Sequence, residues 1–250
     1  MGIGQCTKIA RLLGRRIQMN NKIDVLDQGY VRLVDTMGND LSVANAARVS
    51  YDKQSNEMSE RDAKLIKFLW DEKHTSPFRH AAMTFEVYAP LFVARQWWKH
   101  AVASTHLDDQ NGWNESSRRY ITENEEFYLP KGDEWRSKPE NSKQGSGEPL
   151  SPEDGGWFTN KLFDITEMGK NLYNKAMDAG IAPEQARLFL PAYGMYVRWR
   201  WTVSLHGVLT FLDQRLPSDA QYEIREYAEA VKQLTKDSFP YTYEVALSNK

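Results

Sequence analysis

A single cysteine, Cys6, stands in 250 residues. No disulfide can close within the chain, which fits a reducing, cytoplasmic setting. Thiolate-rich metal sites are excluded for the same reason. The histidines (His74, His80, His100, His106 and His206) form no H-E-x-x-H pair, so no metal site is expected. Long apolar runs are absent, and with them any expected membrane span. No G-x-G-x-x-G follows a strand and no Walker A motif occurs, so neither a Rossmann nor a P-loop site is encoded. Charge of one sign is also lacking. Lys plus Arg number 32 and Asp plus Glu 34, a formal net charge of −2. That balance argues against a general nucleic-acid binder but leaves room for a local pocket around one small phosphate. Residues 1–21 are basic without a sustained apolar core. They are expected to be an N-terminal extension, neither signal peptide nor lipid-anchored start.

What is present is globular: 41% hydrophobic and 26% charged residues, with ample length for a core. Residues 22–250 are expected to form one domain. Lys22 to Leu26 and Tyr30 to Val34 read as strands around a Gln28-Gly29 turn. Asp40 is placed to cap a helix through Arg48, and Ser59 another with Leu65, Ile66 and Leu69 as its stripe. Alternation predicts a half-buried strand over Ala82 to Tyr88 and another strand over Met195 to Trp201, and Glu126 to Leu129 reads as a short strand. Leu91, Ala94 and Trp98 recur at helical spacing after Pro90, which sets Arg95 and Lys99 at i and i+4. Residues 131–156 are rich in Gly, Pro and Ser and read as a mobile surface loop. A helix over Trp157 to Ala179 carries Phe158, Leu162, Ile165, Leu172 and Ala176 on one face, with Gly180 as its stop. Pro183 opens a further helix. Ser218 with Gln221 forms a capping-box pattern before a stripe of Ala220, Ile224, Tyr227, Val231 and Leu234. Without regular βαβ alternation, the expected class is α+β, with a mostly antiparallel central sheet and a helical layer.

The densest chemistry lies in Arg95 to Tyr120, RQWWKHAVASTHLDDQNGWNESSRRY. Cations, amides and carboxylates this close to tryptophan are costly to bury without partners. Two readings compete: a polar structural network, or a site for a flat, anionic, hydrogen-bonding ligand. Arg and Lys suit a phosphate and aromatic faces suit a base, which favours the second. Arg187 in QARLFLP is a further guanidinium in an apolar run, where a ligand or a structural carboxylate would be its partner. Met195 to Trp201 (MYVRWRW) permits a rival reading as a nucleic-acid-binding module with stacking aromatics.

Gln96-Trp97-Trp98-Lys99-His100, Ala103-Ser104 and Asn114-Glu115-Ser116-Ser117-Arg118-Arg119-Tyr120 resemble the signature of the flavin-dependent thymidylate synthases (ThyX). Further segments resemble that family in the same order: Ile23 to Asp27, Met37 to Asp40, Ala46 to Ser50, His74-Thr75-Ser76-Pro77-Phe78, Ala186-Arg187 before Leu190-Pro191, then Arg215 and Ala220-Gln221. Together they span roughly residues 22 to 245.

The resemblance implies reductive methylation of dUMP to dTMP. Methylenetetrahydrofolate would be the carbon donor, FAD reduced by NADPH the hydride source, and the assembly a homotetramer with sites shared between subunits. It implies dUMP contacts at Gln96, Lys99, Glu115, Ser117, Arg119, Arg187 and Arg215, with Arg215 the catalytic cation that polarises the uracil. It implies FAD contacts at His74, Ser76, His100, Glu115, Ser204, His206 and Thr210. The family's R-H-R core reads Lys99-His100-Ala101 here, which removes two guanidinium forks. Ser204 and Thr210 stand where the family carries amides, and Thr105 to Trp113 lengthens the spacer before Glu115. A ThyX-like scaffold that binds nucleotide without flavin chemistry is therefore the second rival. Cysteine-based attack on the pyrimidine is not expected, since Cys6 lies outside these motifs.

Overall fold

The computed structural model describes residues 21–100, 113–115, 126–139 and 145–248. Strands β1 (Lys22–Val25), β2 (Gly29–Met37), β3 (Ala82–Pro90), β4 (Trp113–Glu115) and β5 (Tyr196–Ser204) form one sheet in the order β1-β2-β3-β5-β4. Every pairing is antiparallel. The expected α+β architecture is therefore the observed one. The described α-helices are α1 (Asp40–Arg48), α2 (Glu60–Asp71), α3 (Leu91–Trp97), α4 (Pro152–Asp178), α5 (Pro183–Ala186), α6 (Leu205–Arg215), α7 (Tyr222–Ser238) and α8 (Pro240–Ala246), joined in places by short 3-10 turns.

β3 lies at the centre of the sheet. Expected to be half-buried, it is covered along almost its whole length. One row, Met83, Phe85, Val87 and Ala89, enters the main core beside Val197, Trp199, Trp201 and Val203 of β5. The opposite row is polar but closed by its own partners. Glu86 receives hydrogen bonds from Tyr30 Oη at 2.9 Å and Arg32 Nη2 at 2.7 Å. Burial alone would raise the Glu86 pKa; those two bonds outweigh it and hold the carboxyl below its ordinary range. Trp199 and Trp201 are each 1% exposed. This removes the stacking platform on which the nucleic-acid reading of Met195 to Trp201 depended.

Helices α6 and α7 cover the apolar face. Val208, Leu209, Phe211 and Leu212 of α6 are buried, as are Ile224, Tyr227, Val231 and Leu234 of α7. Gly29 lets α7 come close: a Cβ there would collide with the Tyr227 hydroxyl, which donates to the Tyr88 carbonyl at 2.8 Å.

Several local expectations change. Asn39, not Asp40, caps α1, its side chain accepting from Ser42 N at 3.1 Å. Asp40 is buried and instead clamps the C-terminal region. Its carboxylate accepts from Tyr241 N at 3.0 Å, Thr242 N at 2.9 Å and Thr242 Oγ1 at 2.6 Å. Gln221 precedes α7 without a side-chain cap, so the Ser218–Gln221 capping box does not form. Glu126 to Leu129 contributes only a single bridge, Phe127 to Met195. The segment expected as a loop over 131–156 is shorter, because α4 begins at Pro152 and Trp135 Nε1 donates to Thr159 Oγ1 at 2.9 Å. The apolar stripe of α4 is not core. Its buried side is made of Gly155, Thr166, Gly169 and Ala176, while Phe158, Ile165 and Leu172 are exposed.

The Asp40 clamp gives a stability prediction. Asp40→Ala would leave a buried hydroxyl and two backbone N–H groups of α8 without their acceptor. The expected loss is about 3 kcal/mol, at 1–3 kcal/mol per unmet buried group with partial rescue by water. Urea unfolding would read it, and a change below about 0.5 kcal/mol would show that α8 is held by packing alone.

Candidate functional site

Trp97 fixes the site from inside. It is 1% exposed and stacks on Phe211 at 4.5 Å between ring centroids. It also meets Trp199 and Trp201 edge-on at 5.6 and 5.4 Å. The residues on either side of it, Gln96 and His100, are thereby placed at the surface of the core. The His100 backbone N–H donates to the Trp97 carbonyl at 2.9 Å, which turns the chain sharply after α3.

His100 meets Arg215 at the C-terminal end of α6. Arg215 Nε donates to His100 Nε2 at 3.1 Å, and the imidazole sits edge-on to Phe211 at 5.1 Å. Arginine can only donate, so Nε2 must be unprotonated and the ring proton resides on Nδ1. Burial, and after it the charge of Arg215, pull the His100 pKa from 6.5 to about 4. Burial also lowers the Arg215 pKa from its ordinary value. The result is a half-buried guanidinium whose described partner is neutral.

Gln96, in the last turn of α3, donates through Nε2 to Gln221 Oε1. Gln221 Nε2 in turn donates to Glu223 Oε2 at 2.7 Å. Sequence reading did not assign Gln221 to the site; no local pattern announces a partner 125 positions away. Lys99 is exposed beyond the end of α3.

The N-terminal end of α6 gathers a second group. His206 Nδ1 is buried with no hydrogen-bond partner among the described residues, and burial followed by the Arg79 charge lowers its pKa. His74 and Ser76 are exposed just before Arg79. The His74 ring sits edge-on to Phe68 at 5.8 Å. Ser204 and Thr210 act locally. Ser204 Oγ caps α6 by accepting from Gly207 N at 3.2 Å. Thr210 Oγ1 donates to its own helix at the His206 carbonyl, 2.9 Å away. At about 1.5 Å per residue, His206 and Arg215 lie roughly 13 Å apart along α6.

Arg187, read from sequence as a guanidinium in apolar surroundings, is exposed at the C-terminus of α5. Its apolar neighbours are exposed too, Leu188 at 81% and Phe189 at 46%. Ser117 and Arg119 lie outside the described residues, as does the Glu115 side chain. Among the described residues no group of three or more His, Cys, Asp or Glu could hold a metal ion, and no helix is long and apolar enough to cross a membrane.

Residues 32–241 match the family model described as thymidylate synthase complementing protein. A flavin-dependent thymidylate synthase of Ehrlichia ruminantium (strain Gardel) is 41% identical over 219 residues, covering 88% of this chain and 70% of the relative. One from Thermotoga neapolitana is 38% identical over 224 residues, covering 89% and 93%. Among solved structures, the UMP/dUMP methylase PolB from Streptomyces cacaoi bound with 5-Br UMP aligns with a TM-score of 0.74 and 28% identity, covering 89% of this chain and 95% of that one.

The neutral His100 gives a pH prediction. Its folded pKa of about 4 lies below the ordinary 6.5, so between those values the unfolded chain binds more protons. The associated stability is complete above pH 6.5 and is lost as pH falls through about 4. Across this window the urea midpoint of the native protein should fall more steeply than that of His100→Gln. Parallel profiles would place His100 in water.

Proposed function

The chain belongs to the family of thymidylate synthase complementing proteins, and on that premise we propose that it is a flavin-dependent thymidylate synthase. The reaction is the reductive methylation of dUMP to dTMP, with methylenetetrahydrofolate as carbon donor and NADPH as reductant of FAD. The observation that carries this reading is the Arg215–His100 pair. A guanidinium half-removed from water, beside an imidazole held neutral, keeps its full positive charge for a ligand. Against a uracil carbonyl it would stabilise charge developing on the ring as N3 ionises, which makes C5 a better carbon nucleophile. Gln96 would position the same base, and Lys99, Glu115, Ser117, Arg119 and Arg187 complete the proposed dUMP set.

The bound flavin supplies the hydride. The residues along α6 suit it in part. His206 offers a buried polar atom without a partner among the described residues, with Arg79 near, and His74 and Ser76 are exposed just before Arg79 in the chain. Ser204 and Thr210 already spend their hydroxyls on the helix, so His74, Ser76, His206, Glu115 and His100 carry the proposed FAD contacts.

The same reading includes a cytoplasmic homotetramer with sites shared between subunits. Trp157, Phe163, Ile165 and Met168 of α4 are all at least 50% exposed. Apolar side chains this exposed are costly to leave in water, which supports an interface here. Arg187, exposed at the C-terminus of α5, is available to a neighbouring subunit's site.

Anaerobic visible spectroscopy of the purified protein tests the reading. A flavin band that bleaches with NADPH and responds to dUMP is expected. Arg215→Ala should retain the flavin while kcat for dTMP formation falls about 100-fold or more, the scale for removing one electrostatic donor. A colourless protein that FAD cannot reconstitute would overturn the catalytic reading.

A further inference from the structure

A cavity of about 400 Å³ opens beside α7, between the chain around Tyr128–Pro130 and the turn at Gly132–Glu134. Phe92, Tyr128, Trp135 and Tyr222 give it aromatic walls. That volume lies near the lower end of small-molecule sites and suits a ring carrying a sugar. Neither Arg215 nor His100 lines it; Gln221 does, and so links it to Gln96.

Its polar groups are unevenly satisfied. Tyr128 is 4% exposed, and its hydroxyl has no hydrogen-bond partner among the described residues. Burial, then the nearby Glu223 and Glu134 carboxylates, push its pKa up, so the hydroxyl keeps its proton and can donate. Arg136 lies over the Tyr222 ring at 4.5 Å, and its Nε is likewise buried without a partner. These are two donors in want of an acceptor, a costly state for buried groups. Two carboxylates line the same cavity. Glu134 Oε2 takes the Lys131 N–H at 2.8 Å and Glu223 Oε2 takes Gln221 Nε2 at 2.7 Å. The Oε1 atoms of both carboxylates have no partner among the described residues.

We propose that this cavity binds an uncharged planar heterocycle with a lactam edge, a ring N–H beside a ring carbonyl, as in a pyrimidine or purine nucleoside. The carbonyl accepts from Tyr128 and Arg136, the ring N–H donates to Glu223 or Glu134, and the aromatic walls take the faces of the ring. Two carboxylates against one guanidinium make the lining net negative. A phosphate would be repelled, so the occupant is a nucleoside and not a nucleotide. The proposal does not depend on the reaction assigned above.

Calorimetric titration of the full-length protein tests it, with thymidine in one arm and 2′-deoxyguanosine in the other, each with and without saturating dUMP. Saturable binding of at least one nucleoside, one per chain and retained with dUMP present, is expected. The arm that binds distinguishes pyrimidine from purine. Its 5′-monophosphate should bind at least about tenfold more weakly. Tyr128→Phe should weaken the nucleoside about three- to tenfold, the usual yield of one hydrogen bond. Glu223→Gln, altered on the opposite edge, should also weaken it, and provides the reading if Tyr128→Phe fails to fold. No saturable heat at millimolar nucleoside, or affinity unchanged in both variants, would overturn the proposal. So would loss of binding when dUMP is added, because the nucleoside would then belong to the substrate site.

Discussion

The packing of Trp97 is the constraint on which the candidate site depends. Its indole is held on several sides by rings from β5, α6 and α7, and tightly interlocked interiors permit little rearrangement. α3 is short and ends immediately after this residue. Left alone, a helix of seven residues would be marginal. Anchored by one buried indole, it holds Gln96 against Gln221 and leads the chain to His100 beside Arg215. The sheet thus contributes rigidity more than chemistry: β3 and β5 supply the wall against which Trp97 is pressed.

The polar half of the site follows from that rigidity. Arg215 arrives on a separate helix, and only a fixed α3 presents His100 Nε2 to it at hydrogen-bonding distance. The pairing is asymmetric in an informative way. A carboxylate in place of His100 would neutralise the guanidinium and bind it tightly in the resting protein. A neutral acceptor orients the same cation without cancelling its charge. Orientation and charge are therefore supplied by different residues, which lets the charge be directed outward.

Much of the fold was legible in the sequence because its determinants are local. The strands β3 and β5 follow from alternation, β1 and β2 from their place around the Gln28-Gly29 turn, and the buried stripe of α7 from helical spacing. Where reading failed, the decisive partner was distant. Asp40 looked like a helix cap because capping residues and buried acceptors share a chemistry, and Asn39 beside it was the better-placed cap. The stripe on α4 was read as one apolar face, and periodicity does not say what covers such a face. Small residues, Gly155, Gly169 and Ala176, make that helix's contact with its own chain, and size is a weak signal in a polar-apolar pattern. At the site, Arg215 and His100 were each legible as types, whereas the Gln96–Gln221 contact was not.

Asp40 also imposes an order on the assembly of the chain. Its hydrogen-bond partners lie 201 and 202 residues downstream, so a nascent chain exposes α1 long before its acceptors can be filled. The strands β1 and β2 can pair early, since their contacts are local. Burying that carboxylate as an ion before α8 is available would be costly, because its charge would lack these donors. The final seating of α1 is thus tied to a segment that follows it by 201 and 202 positions.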